Sequence, residues 1–201
     1  MKKIKIEIRN LNGIEPIIKS MNNFQNNQFI QKQGCGALGN IAVNNKENKI
    51  EIRNLNGIEP IIKSMNNFPN NQDIQKQGCW ALNNLSFNKE NQIEIRNLNG
   101  IETIIKSMNN FQNNQFIQKQ GCRALGNIAF NNEGCLALGN IAFNNRENKI
   151  EIRNLNGIET IIKSMNNFQN NQDIQKQGCR ALGNIAVNNE GKLKLKFQMN
   201  K

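Results

Sequence analysis

One segment is written four times along this chain, and that constrains its fold more than any other feature. The run "IEIRNLNGIE" recurs with its first glutamate at Glu7, Glu51, Glu94 and Glu151. The first two steps are 44 and 43 residues long, and the third is longer by about 13. A period near 43 belongs to helical solenoids whose units hold two or three helices. The excess in the third step is visible by eye: "GCRALGNIAFNNE" (121–133) is followed directly by "GCLALGNIAFNNR" (134–146), a piece of the unit duplicated in place.

The second copy shows how one unit folds. Asn44 and Glu47 have the spacing of a capping box, which opens a short helix over about 46–55 with Ile50, Ile52 and Leu55 apolar. Asn56-Gly57 ends it, since both residues tolerate a left-handed backbone. A second helix follows over about 58–67. Ile58, Ile61, Ile62 and Met65 form one stripe along it, and Pro60 sits in the first turn, where a missing N–H costs little. After the loop "NNFPNN", a third helix over about 72–87 lines up Ile74, Gly78, Ala81, Leu82 and Leu85. The small Gly78 and Cys79 imply close approach of a neighbouring helix. Three short helices cannot bury these stripes alone. Stacked copies can, each completing the core of the next.

The second copy, "NKIEIRNLNGIEPIIKSMNNFPNNQDIQKQGCWALNNLSFN", resembles an armadillo repeat. It has that family's short first helix, its glycine, a "GI-x-P" opening the second helix and "GC-x-AL-x-NL" in the third. The likeness is to the armadillo units of protist scaffold proteins, of leucine-rich-repeat kinases and of vacuolar-protein-8-like proteins. The fold expected is all-α: a right-handed α-solenoid of about four three-helix repeats plus one inserted half-unit helix. The array is expected over 1–190, with repeats at about 1–45, 46–88, 89–132 and 146–190. The inserted helix is placed at about 133–145, and 191–201 is read as an irregular tail.

One position in the otherwise faithful third helix changes: Gly36, Trp80, Arg123, Arg180. In steps of four, the same helix face carries Lys32, Gly36 and Asn40 in copy one, and Lys76, Trp80 and Asn84 in copy two. Copy three gives Lys119, Arg123 and Asn127, and copy four Lys176, Arg180 and Asn184. In armadillo proteins the third helices line an inner groove, and Trp80-x-x-x-Asn84 is similar to the peptide-holding pair of nuclear import adaptors. The other copies keep only the Asn. A side-chain amide offers donors and an acceptor, so a ladder of them suits an extended peptide backbone. Lysines and arginines between and beside them favour carboxylates or phosphates, and the face then resembles the basic groove of catenin-type armadillo proteins. A second reading stands beside this one. The Asn side chains can bridge neighbouring third helices and bind nothing, and Trp80 can pack on an adjacent repeat.

A formal charge of +11 over 201 residues favours anionic partners. Three partner classes follow: a protein with an extended acidic segment, nucleic acid, or an import-type peptide. Ten Phe, one Trp and no Tyr leave few stacking platforms for single-stranded nucleic acid. The chain has no histidine and no CxxC, so no catalytic triad, metal site or cofactor is expected. The five cysteines read as reduced, buried small side chains. There is no apolar run long enough to span a membrane, and no apolar centre follows the N-terminal lysines. The expected location is the cytosol, or cytosol and nucleus. Asn is abundant enough to raise a low-complexity reading, which the apolar periodicity opposes.

In one continuous helix the 13-residue insert would turn the second apolar stripe ~220° out of phase with the first. A break near Asn131–Gly134, a short helix over about 134–143 and a bulge or kink in the stack are therefore expected. The last stretch, "GKLKLKFQMNK", does not match the repeat. Neither end carries a polar capping repeat, so a segment of a longer array, a decayed copy and self-association through exposed ends all remain open.

Overall fold

The computed structural model describes residues 2–130 and 140–186, with side chains placed for 3–130 and 146–186. Those residues form twelve α-helices and no strand. Copy one holds α1 (Lys2–Asn10), α2 (Ile14–Asn23) and α3 (Gln28–Ala42). Copy two holds α4 (Lys46–Asn54), α5 (Ile58–Asn67) and α6 (Gln72–Leu85). Copy three holds α7 (Lys89–Asn97), α8 (Gly100–Asn110) and α9 (Gln115–Ala129). Copy four holds α10 (Asn140–Asn154), α11 (Gly157–Asn167) and α12 (Gln172–Ala186). Equivalent helices stack in order, and the third helices α3, α6, α9 and α12 pack side by side. Among the described residues no helix is long and apolar enough to cross a membrane.

Within a copy, the second helix lies on the third through a methionine and a glycine. A Cβ on Gly34, Gly78, Gly121 or Gly178 would collide with Met21, Met65, Met108 or Met165 in turn. Between copies, the cysteine beside that glycine faces a serine of the next second helix. The Cys79 thiol donates to Ser107 Oγ at 3.4 Å, and Cys122 to Ser164 Oγ at 3.8 Å. Burial pushes the Cys35 and Cys79 thiols up to about 12 and Cys122 to about 11, so they stay protonated. Cys179, in the last copy, is exposed.

Three local expectations change. The N-cap of α4 is Asn45, whose side chain accepts from the Asn48 N–H at 3.0 Å; the spacing argument had chosen Asn44 and Glu47. Asn44 instead takes the left-handed backbone, φ 53°. At the Asn56-Gly57 break only Asn56 is left-handed. Gly57 is required for space: a Cβ there would lie 2.8 Å from Ile18 Cδ1 and 2.9 Å from the Ile52 carbonyl oxygen. The third helix of copy two ends at Leu85, short of 87.

α9 stops at Ala129, with Phe130 extended at ψ 126°, so the phase of a continuous helix never matters. α12 then packs on α9, α11 on α8, and α10 on α7. Copy four docks on copy three through the same kinds of bond that join copies one and two. The Asn171 amide donates to Gln115 Oε1 at 3.2 Å, as Asn71 does to Gln28 at 2.8 Å. α10 starts at Asn140, six residues before the first helix of copy four was expected, so 140–143 of the expected inserted helix belong to it. The expected break at 131–134, the residues 134–139 and the tail 191–201 lie outside the described residues.

Leu82 is fully buried between repeats, whereas Ile162 is 43% exposed. Leu82→Ala is expected to lower unfolding free energy by ~2–5 kcal/mol, and Ile162→Ala by less than ~0.5 kcal/mol, in denaturant melts of each variant. Equal midpoints would contradict the placement of Leu82.

Candidate functional site

Each third helix opens with an Asn cap and a lysine one turn later. Asn27, Asn71, Asn114 and Asn171 each accept from a backbone N–H three residues on, at 3.1 Å. Fixed this way, the helices carry Lys32, Lys76, Lys119 and Lys176 at equivalent points of four adjacent helices. The first three are half-buried and Lys176 is exposed.

The four lysines are not equivalent electrically. Lys32 Nζ pairs with Asp73 Oδ2 at 2.7 Å, and Lys119 Nζ with Asp173 Oδ2 at 3.2 Å. Each aspartate comes from the next copy. Copies one and three carry Phe29 and Phe116 at that position. Lys76 and Lys176 make no ion pair among the described residues. The Lys32 hydrogen bond holds the Asp73 carboxyl below its ordinary 3.8.

The variable position divides similarly. Trp80 is half-buried and lies on copy one: a Cβ added to Gly39 would sit 2.9 Å from Trp80 Cε3. Arg123 is half-buried with its Nε unpartnered. Arg180 is exposed, its guanidinium carbon 5.9 Å from the centre of the Phe130 ring.

The amide ladder largely serves the stack. Asn127 is 3% exposed, and its Nδ2 reaches Asn83 Oδ1 at 3.2 Å in the preceding third helix and Ser86 Oγ at 3.1 Å at that helix's C-cap. Asn184 Nδ2 donates to the Gly126 carbonyl at 2.8 Å, again across the interface. Asn84 is buried, and its Nδ2 returns to the Trp80 carbonyl at 3.0 Å. Only Asn40 is exposed. A four-rung ladder of open amides is therefore corrected: in each of these three rungs the side-chain amide donates to an oxygen of the stack itself. Burial leaves Asn127 no face for a ligand.

Two features escaped the sequence reading. Asp73 and Asp173 were legible as the Phe/Asp alternation in "NNQFIQKQ" and "NNQDIQKQ". Asn83 and Ser86 were legible as the departure of "WALNNLSF" from "RALGNIAF". With Asn127 and Gln120 they form a buried polar cluster between α6 and α9, in which Asn83 Nδ2 donates to Gln120 Oε1 at 3.0 Å. Two arginines of the first helices are tied to the next copy. Arg53 pairs with Glu90 at 3.6 Å, and Arg96 pairs with Glu147. On the second helices the i, i+4 pairs Glu15–Lys19, Glu59–Lys63, Glu102–Lys106 and Glu159–Lys163 form at 2.8–2.9 Å on exposed faces.

Residues 9–132 match the family model described as the LRRK2 ARM repeat. None of the curated proteins is similar enough in sequence to count as a relative. Among solved structures, one engineered protein is 25% identical, with TM-score 0.73, over 92% of this chain and 67% of its own. A second engineered protein reaches TM-score 0.76 at 18% identity, over 98% of this chain and 74% of its own. A designed armadillo repeat protein in complex with the peptide (KR)4 matches with TM-score 0.59 at 18% identity, covering 90% of this chain and 85% of its own.

Asn127→Ala is expected to cost ~1–3 kcal/mol, because it strands buried oxygens of Asn83 and Ser86. The exposed counterpart Asn40→Ala should stay within ~0.5 kcal/mol. Chemical denaturation of both variants checks this. For the Lys32–Asp73 pair, lowering the folded-state value means its contribution is complete above the ordinary 3.8 and lost as pH falls through the lower value. An NMR titration of the Asp73 carboxyl should place its midpoint below 3.8, and Lys32→Ala should move it back up.

Proposed function

The chain belongs to the armadillo repeat family, and from that premise we propose that it is a protein-interaction module holding an extended, acidic segment along a groove formed by its third helices. The armadillo fold is generally a non-enzymatic scaffold, and no catalysis is assigned to this chain. The observation that carries the reading is the side-by-side packing of α3, α6, α9 and α12. It brings Lys32, Lys76, Lys119 and Lys176, with Arg123 and Arg180, onto adjacent helices of one stack. Side chains at such spacing meet an extended chain that crosses the helices, and cations there select carboxylates.

The designed armadillo neighbour is held with (KR)4, a basic peptide. That supports a peptide as the kind of ligand this fold accepts. The sign of charge is opposite here, since this chain carries +11, and the ligand is expected to be acidic accordingly. The import-adaptor reading is weakened because Trp80 and Asn84 are turned to packing and to each other. Nucleic acid is the second reading, favoured by the net charge and opposed by the scarcity of stacking aromatics.

Trp80 is the one tryptophan of the chain, so its fluorescence reports directly on this face. A glutamate-rich peptide should bind at low salt and be released as salt rises. The Lys76→Glu, Lys176→Glu double variant should weaken binding by at least ~10-fold while keeping its helical circular dichroism. Absence of binding at low salt, or tighter binding of a single-stranded oligonucleotide of equal charge, would overturn the reading.

A further inference from the structure

The lysine ladder of this chain is half-occupied by its own carboxylates, and the occupation is not random. Asp73 reaches back from copy two to Lys32, and Asp173 reaches back from copy four to Lys119. Both pairs are open to water: the side chains are 39% and 52% exposed in the first, 31% and 65% in the second. Exposed pairs of this sort add little to stability. They still cancel the local field that a ligand carboxylate would feel. Once they are subtracted, copy one presents no unpaired cation on this face. It presents Gly36, an exposed Asn40 and the ring of Phe29, which is 71% exposed. Copy two presents Lys76, copy three Arg123, and copy four Lys176 and Arg180.

We propose that Asp73 and Asp173 are specificity-determining residues of this face, standing in for ligand carboxylates at Lys32 and Lys119 and so selecting a segment that is apolar over copy one and acidic over copies two to four. The inference rests on the groove reading above and names its ligand class more narrowly. Helices pack about 10 Å apart, so the cationic stretch spans on the order of 20 Å. An extended chain covers that with about six residues. The ligand is thus a short acidic run of roughly that length with a large apolar side chain at one end. A uniformly acidic peptide is the poorer fit, because its extra carboxylate would meet Asp73.

The test compares two synthetic peptides of equal length on the full chain, by Trp80 fluorescence and calorimetry. One is uniformly glutamate; the other has phenylalanine and neutral residues at one end and glutamates at the other. The wild type should prefer the mixed peptide. Asp73→Asn should raise affinity for the uniform peptide about fivefold by removing one repulsion at contact range, and change the mixed peptide less. Asp173→Asn should add a comparable gain for both. Helical content from circular dichroism confirms that each variant is folded; both substitutions are exposed and isosteric. Unchanged affinities in the variants, or a wild type that prefers the uniform peptide, would overturn this inference and leave the groove reading standing. Failure of the wild type to bind either peptide would overturn both.

Discussion

The structure depends on the docking of each third helix against the third helix before it. At two of these interfaces the approach is closest at a glycine facing an alanine: an added Cβ on Gly39 would lie 3.2 Å from Ala81 Cα, and one on Gly126 would lie 3.1 Å from Ala181 Cα. At that range a side chain on either glycine would meet the facing backbone, and at Gly39 the Trp80 ring as well. This approach lets Leu38, Leu82 and Leu125 enter one continuous core from successive copies. The second and first helices follow, because the methionine–glycine contacts tie each second helix to its own third helix. The middle interface departs from the rule. Asn83 takes the glycine position there, and the dry approach is replaced by the cluster with Ser86, Gln120 and Asn127. In an array of near-identical copies, a polar interface made by only one pair of neighbours helps fix which copies meet, since a misaligned partner would leave those groups unsatisfied.

Short helices create a second constraint. Every helix end leaves backbone groups without partners, and this chain has a helix end every ten residues or so. Its wealth of Asn and Gln answers that need. Asn caps the first and third helices. Asn12, Asn44, Asn56, Asn99 and Asn156 supply the left-handed turns. The Gln75 amide donates to the Met65 and Phe68 carbonyls at 2.7 and 3.0 Å, closing the end of α5, and Gln31, Gln118 and Gln175 repeat this in their copies. Asn48 and Asn91, fully buried, bridge a third-helix end to the first helix of the previous copy. What looks like compositional bias in the sequence is a set of backbone partners in the fold.

That history explains what was legible. Period and apolar stripes gave the three-helix unit to within a residue or two, because burial is periodic and local. The exact caps were harder: Asn44 and Asn45 have identical side chains, and only the path of the preceding chain decides which one caps. Around the insert, α9 stops at Ala129 and α10 starts at Asn140; that early start was not legible, because residues 140–145 repeat a third-helix sequence. On the candidate face, the positions of the lysines followed from spacing. Their pairing did not, because Lys32 and Asp73 are far apart in sequence and meet only through the stack. Nor did the burial of Asn127, which depends on Ser86 and Asn83 one copy earlier.

The face that meets a partner exists only while neighbouring copies complete each other's core. Far-UV circular dichroism of an isolated peptide of residues 44–88, beside the whole chain, tests this most directly. The single copy should show far less helix per residue than the array and no cooperative thermal transition. Helix content equal to that of the array, lost in a cooperative melt, would contradict it.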